Sequence, residues 1–181
     1  NITAYAPPNP SENITANNIE TKIVCVRPLK YVLFDQTHGT DNIKWYATWV
    51  ENLTQRGYIV HTHTSGPITS TVLAGYDVFV TIRATNPYSS TELSAIQNFV
   101  FMGGGLLVVG DLEPSVYTDL TGFAGITWTS GGTSGITTDI TAHEVTRGVS
   151  SLYLGLPFAK MSVTGAAEDL VRDRSGDIML A

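Results

Sequence analysis

The run Lys30-Tyr31-Val32-Leu33-Phe34-Asp35 is the feature that most narrows what this chain can fold into. Its apolar residues are continuous instead of alternating, the pattern of a strand covered on both faces. Strands of that kind belong to parallel sheets with helices above and below.

The segments that follow have the alternation such a sheet requires. Asp41 is placed to cap a helix from about Asn42 to Arg56, whose Ile43, Tyr46, Val50 and Leu53 form one stripe at helical spacing. Trp45 and Trp49 extend the stripe, and Gly57 stops the helix. Strands are expected at Tyr58 to His63, Asp77 to Ile82 and Leu106 to Val109. A short turn capped near Thr69 separates the first two, and a helix opened by the capping box Ser89-x-x-Glu92 separates the last two. Parallel neighbours need crossover connections, so this order predicts an α/β, doubly wound, mainly parallel sheet with helices on both faces. Beyond Asp111 the pattern predicts a short helix at Ser115 to Leu120. Strands are expected at Ile126 to Thr129, Ile136 to Ile140, Leu152 to Leu156 and Asp177 to Ala181, the last suggesting a shortened or cleaved piece.

Composition bounds the function classes. With 43% hydrophobic and 14% charged residues in 181, the chain can bury one core, which excludes global disorder. Residues 1–20, built of Pro, Asn, Ser and Thr, read as a linker or the tail of a preceding domain, and residues 21–181 as the folded domain. The net charge of −6 and the lack of a Lys/Arg cluster argue against nucleic acid as a partner. The longest apolar stretch, Phe99 to Val109, is short of the roughly 18 residues of a spanning helix and is broken by Gly103, Gly104 and Gly105, so no membrane span is expected in this segment. The lone Cys25, in an apolar run, reads as a buried structural thiol. Richness in Thr, Ser, Asn and Gly, with Asn-x-Thr sequons at Asn1, Asn13 and Asn52, points to an extracellular or cell-surface setting.

The ordered motifs Tyr31 to Gly39, Thr81-Ile82-Arg83, Tyr88 to Leu93, Phe99 to Asp111 and His143-Glu144-Val145-Thr146-Arg147-Gly148-Val149 resemble the class I glutamine amidotransferase-like superfamily. More narrowly they are similar to its non-catalytic branch, found in surface proteins and in intraflagellar-transport proteins. The resemblance implies a flavodoxin-like fold. It also implies where a nucleophilic cysteine would stand, on the elbow after the fourth strand, and there this chain reads Val109-Gly110-Asp111-Leu112-Glu113-Pro114. The His-x-Glu pair of the catalytic members is missing too, since His143 and Glu144 are adjacent. Glutaminase activity is therefore not expected.

In an open α/β sheet, ligands bind beyond the carboxyl ends of the strands, where strand order reverses. That rule selects Asp35, Gln36, His38, Arg83, Asp111 and Glu113, a set of acids, a base and a cation able to hold a polar ligand. The competing reading is that Asp35 and Asp111 cap loops or helices and Arg83 pairs with one of them. His61 and His63, two apart on one strand, are weak metal candidates, with an exposed strand end the simpler reading. Trp45 and Trp49 read as core before they read as a sugar platform. Gly103 to Gly105 precede a strand, so they end a helix and do not cradle phosphate. Ser115 with His143 and Asp119 or Asp139 lacks a nucleophile elbow. No cofactor is expected, because the loop Gln36 to Asp41 lacks the cradle of flavin carriers of this fold. The expected function is a non-catalytic interaction module of a larger protein, contacting neighbouring domains, a glycan or a peptide. The alternative is a hydrolase using the strand-end acids and His38, with or without a metal.

Overall fold

The structure is a computed structural model, and it describes residues 2–5, 19–22, 30–111, 113–155 and 159–181. Cys25, Asn1 and Asn13 lie outside the described residues. Strands β1 (Ile2–Tyr5) and β2 (Ile19–Lys22) pair antiparallel, so residues 2–5 of the segment whose composition reads as a linker pair with a strand that straddles its end at residue 20.

The centre of the fold is a parallel sheet of β3 (Lys30–Asp35), β4 (Tyr58–His63), β5 (Val78–Ile82) and β6 (Gly105–Val109), in the order β4-β3-β5-β6. This is the flavodoxin-like arrangement, with the reversal of strand order between β3 and β5. Side chains alternate between two cores, as the two-residue period of a strand requires. Leu33 and Phe79 pack on one face with α2 (Ser70–Leu73), α3 (Ser90–Phe101) and α4 (Pro114–Thr121). Val32, Phe34, Val80 and Ile82 pack on the other, under Ile43, Tyr46 and Trp49. The expected α/β sheet with helices on both faces is thus the observed one.

The first helix differs from its expected form. It opens as a 3-10 turn over Ile43–Tyr46, and only Ala47–Gln55 is α-helical (α1). Asn42, not Asp41, caps it, accepting from the Lys44 N–H. The tighter winding of the opening turn moves residues off the 3.6-residue stripe. Trp49 packs against Phe34, but Trp45 is 71% exposed and belongs to neither core. The capping box forms at Ser89 and Glu92, and Thr69 caps α2 as expected.

Among the described residues after β6, none adds a fifth strand to the parallel sheet. The chain builds a separate antiparallel sheet from β7 (Ile126–Ser130), β10 (Ala159–Val163), β11 (Val171–Arg172) and β12 (Ile178–Leu180), in the order β11-β12-β10-β7. A small hairpin, β8 (Gly135–Thr137) with β9 (Leu152–Leu154), lies beside it. The strands expected at 136–140 and 152–156 are shorter than their apolar residues suggest, with Ile140 making only a bridge to Val171. The segment 141–149 is a loop organised by buried Thr146, whose hydroxyl donates to the Thr141 carbonyl at 2.6 Å and accepts from the His143 N–H.

Candidate functional site

The carboxyl end of β3 delivers Asp35 into a fully buried position, and the loop after it brings His38 back over the strand end. Two backbone contacts fix that loop: the N–H groups of Thr85 and Asn86 both donate to the His38 carbonyl at 3.0 Å. Gly39, at φ 66°, allows the approach; a Cβ there would run into Thr85 Oγ1.

His38 is 7% exposed and both of its ring nitrogens face carboxylates. Nδ1 lies 2.9 Å from Asp35 Oδ2, and Nε2 lies 3.2 Å from Glu92 Oε1. Tyr88 donates from its hydroxyl to the same Asp35 oxygen at 2.6 Å and reaches Thr81 Oγ1 at 2.9 Å. Thr37 donates to the other Asp35 oxygen through both its N–H and its hydroxyl. The carboxylate of Glu92 is equally occupied: Ile68 N–H donates to one oxygen, and Ser89, through its N–H and hydroxyl, donates to the other.

These contacts set the protonation states. Burial opposes charge on Asp35, but hydrogen bonds from His38, Thr37 and Tyr88 outweigh it and hold the carboxyl below its ordinary range. Burial likewise opposes charge on His38, and the hydrogen bonds and negative charges of Asp35 and Glu92 overcome it, raising the imidazole. Glu92 is lowered against its own burial by Ser89, Ile68 and His38. Burial and the nearby Asp35 push the Tyr88 phenol far up, so it stays a donor. The group is an imidazole clamped between two carboxylates that favour its protonated form, with its hydrogen-bonding capacity turned inward.

Two of the remaining candidates, Arg83 and Asp111, belong to a second cluster. Arg83, directly after β5, holds a left-handed backbone at φ 55°, uncommon for a residue with a side chain. Its guanidinium reaches Asp111 Oδ2 at 2.8 Å through Nε and Asp41 Oδ1 at 3.4 Å through Nη1. The Tyr46 hydroxyl donates to the other Asp41 oxygen at 2.6 Å, and burial together with Asp41 pushes that phenol up to about 12. Asp111 Oδ1 is buried with no partner among the described residues. No hydrogen bond or ion pair joins this cluster to the His38 group among the described residues, so the strand-end acids and His38 are divided between two sets of partners.

Gln36 is half-buried, and its N–H donates to the His63 carbonyl, while Glu113 is exposed at the start of α4 without capping it. His61 and His63 are separately engaged, the first 3.0 Å from the Tyr76 hydroxyl and the second 3.0 Å from the Gly66 carbonyl. Among the described residues no three His, Cys, Asp or Glu side chains are grouped to hold a metal. Ser115 and His143 are both exposed on the surface. Sequence reasoning assigned Glu92 and Asp41 to helix caps and gave Tyr88 no site role, so it missed the part each takes in these clusters. The capping box accounts for one carboxylate oxygen of Glu92, and nothing local in the sequence tells where the other points.

No protein-family model matches the chain, and no curated protein matches it. Among solved structures the mmIFT52 N-terminal domain is similar, with a TM-score of 0.65 at 17% identity over 81% of this chain and 74% of that one. At that identity the likeness speaks for a shared fold.

Proposed function

We propose that this chain is a non-catalytic binding module of amidotransferase-like type, engaging another polypeptide as part of a larger secreted or cell-surface protein. The observation that carries the reading is the closure of the His38 group. A general base needs a free nitrogen within reach of a substrate proton, and both nitrogens of His38 are held by carboxylates in a site that is almost fully buried. The elbow after β6 supports the same conclusion, because a side chain at Gly110 would place its Cβ 2.6 Å from the Trp128 ring and 2.7 Å from Tyr117. A nucleophile at position 110 has no room without moving these rings. Asn52 is exposed on α1, as a glycan acceptor in a secreted protein would be.

The test is direct. The purified chain and its His38→Gln variant are assayed with glutamine, a nitrophenyl ester and a nitrophenyl phosphate, with and without divalent metals. The expected result is no turnover by either protein. Turnover by the parent that His38→Gln abolishes would establish the hydrolase instead.

A further inference from the structure

Strand β6 is an edge of the four-stranded parallel sheet, and no strand among the described residues pairs with its outer side. Its partner β5 pairs with it in parallel from Val78↔Gly105 to Ile82↔Val109. The Gly105 N–H donates to Asp77 and the Val109 carbonyl accepts from Arg83, so alternate residues from 105 turn their backbone groups toward β5. The N–H and C=O groups of Leu106 and Val108 therefore point away from it. Among the described residues no hydrogen bond takes them.

The neighbouring edge shows what a closed one looks like. On β7, the Trp128 N–H donates to Thr118 Oγ1 at 2.8 Å, and the Ile126 carbonyl lies 2.8 Å from Thr121 Oγ1. Two hydroxyls of α4 thus occupy the outward ladder positions of β7. Proteins blunt sheet edges in this way, or with charge, proline or a covering element. Strand β6, reading Gly-Leu-Leu-Val-Val, has no charge and no proline, and Leu107 and Val109 are 39% and 42% exposed.

Beside this edge lies a cavity of about 420 Å³. Leu106 to Gly110 form one wall, and the face of the antiparallel sheet bearing Ile126, Trp128 and Met161 forms the other. No charged side chain lines it among the described residues. The slot therefore joins a row of unpaired backbone donors and acceptors to an uncharged apolar wall.

We propose that β6 is a strand-addition site that takes an extended, uncharged segment of a partner polypeptide with apolar residues at every second position. The proposal deepens the binding-module reading by naming the surface and the partner chemistry. Leu106 and Val108 fix the backbone of the incoming segment, and the apolar wall takes its alternate side chains, the division of labour seen wherever a peptide extends a sheet. A single extended segment fits better than a second copy of the chain. Bringing β6 against its symmetry mate would drive each copy's antiparallel sheet into the other, since that sheet flanks the same edge.

The test uses an array of labelled, lysine-flanked octapeptides alternating threonine with valine, leucine or phenylalanine, and a control array with serine at the apolar positions. Binding is read by anisotropy, and amide exchange is followed at Leu106 and Val108. The expected result is binding of apolar peptides over controls, with slowed exchange at both amides. Val108→Pro removes an outward N–H and takes no bond from the β5 ladder, so it should weaken binding about tenfold or more. Leu107→Lys, a substitution at an exposed position, gives the same loss should the proline variant fold poorly. Absence of binding, or binding that survives both substitutions without protection at Leu106 and Val108, overturns the site; in the second case the chain remains a binding module with another surface. Concentration-dependent dimerisation abolished by Val108→Pro makes the occupant a second copy and overturns the peptide assignment.

Discussion

The rings of His38 and Tyr88 stack with their centroids 3.7 Å apart and their planes inclined by 19°, while both residues hydrogen-bond the same oxygen of Asp35. The stack covers one face of the imidazole and the two carboxylates hold its nitrogens, so the charge of His38 is enclosed by partners. Those partners come from the end of β3, from the loop before α3 and from α3 itself. Glu92 adds the segment before α2 through Ile68. The group fastens together the connections at the switch point of the sheet, where other members of such folds leave a crevice for a ligand.

Stability should depend on pH in a defined way. The imidazole of His38 is raised above its ordinary 6.5, so its contribution is complete below that value and is lost as pH rises through the higher folded one. Asp35 and Glu92 are lowered from 3.8 and 4.5, so their contributions are present above those values and are lost as pH falls through the lower folded ones. The thermal midpoint should therefore plateau between the ordinary carboxylate and imidazole values and decline on both sides. Scanning calorimetry in a series of buffers measures it, and in His38→Gln the decline on the alkaline side should disappear.

Removing one member of the group should be costly, since the others stay buried with their charge. His38→Gln leaves two carboxylates without a cation and should lose about 3–5 kcal/mol in urea unfolding. Tyr88→Phe keeps the ring stack and removes one donor to Asp35, for a loss of about 1–3 kcal/mol. A cost below 1 kcal/mol for His38→Gln would mean that the clamp does not contribute to folding.

Arg83 holds its left-handed backbone against the intrinsic preference of any residue with a Cβ. Arg83→Ala and Arg83→Gly both remove the ion pairs to Asp41 and Asp111, but only glycine relieves the backbone. Arg83→Gly should therefore be more stable than Arg83→Ala by about 1 kcal/mol, a difference that denaturant titration resolves. Equal stabilities would show that the turn relaxes once the side chain is gone.

What could be read from the residues follows physical range. The run 30–35, the capping box and the stop glycines act within a few residues, and each produced the element expected of it. The antiparallel sheet is held by pairings such as Met161 with Trp128 and with Ile178, far apart in sequence, and β10 and β11 carry no periodic signal strong enough to announce them. The site divides in the same way. Asp35 and His38 are three apart and could be paired on sight, whereas Tyr88 and Glu92 reach them from another element. The spacing that suggested a shared crevice could not show that these groups neutralise one another.

The two tryptophans of the first helix give the sharpest test of where local reasoning stops. Helical spacing places Trp45 and Trp49 on one stripe, but the opening 3-10 turn separates them: Trp49 packs on Phe34 with ring centroids 6.4 Å apart, and Trp45 faces outward. Trp49→Ala should lose a substantial part of the cost of truncating a buried aromatic, about 2–4 kcal/mol given its partial burial. Trp45→Ala should stay within about 0.5 kcal/mol of the parent. The fluorescence of Trp45 should also be quenched readily by iodide, and that of Trp49 should not. Comparable losses in the two alanine variants would place both rings in the core and restore the uninterrupted helix that the spacing alone suggests.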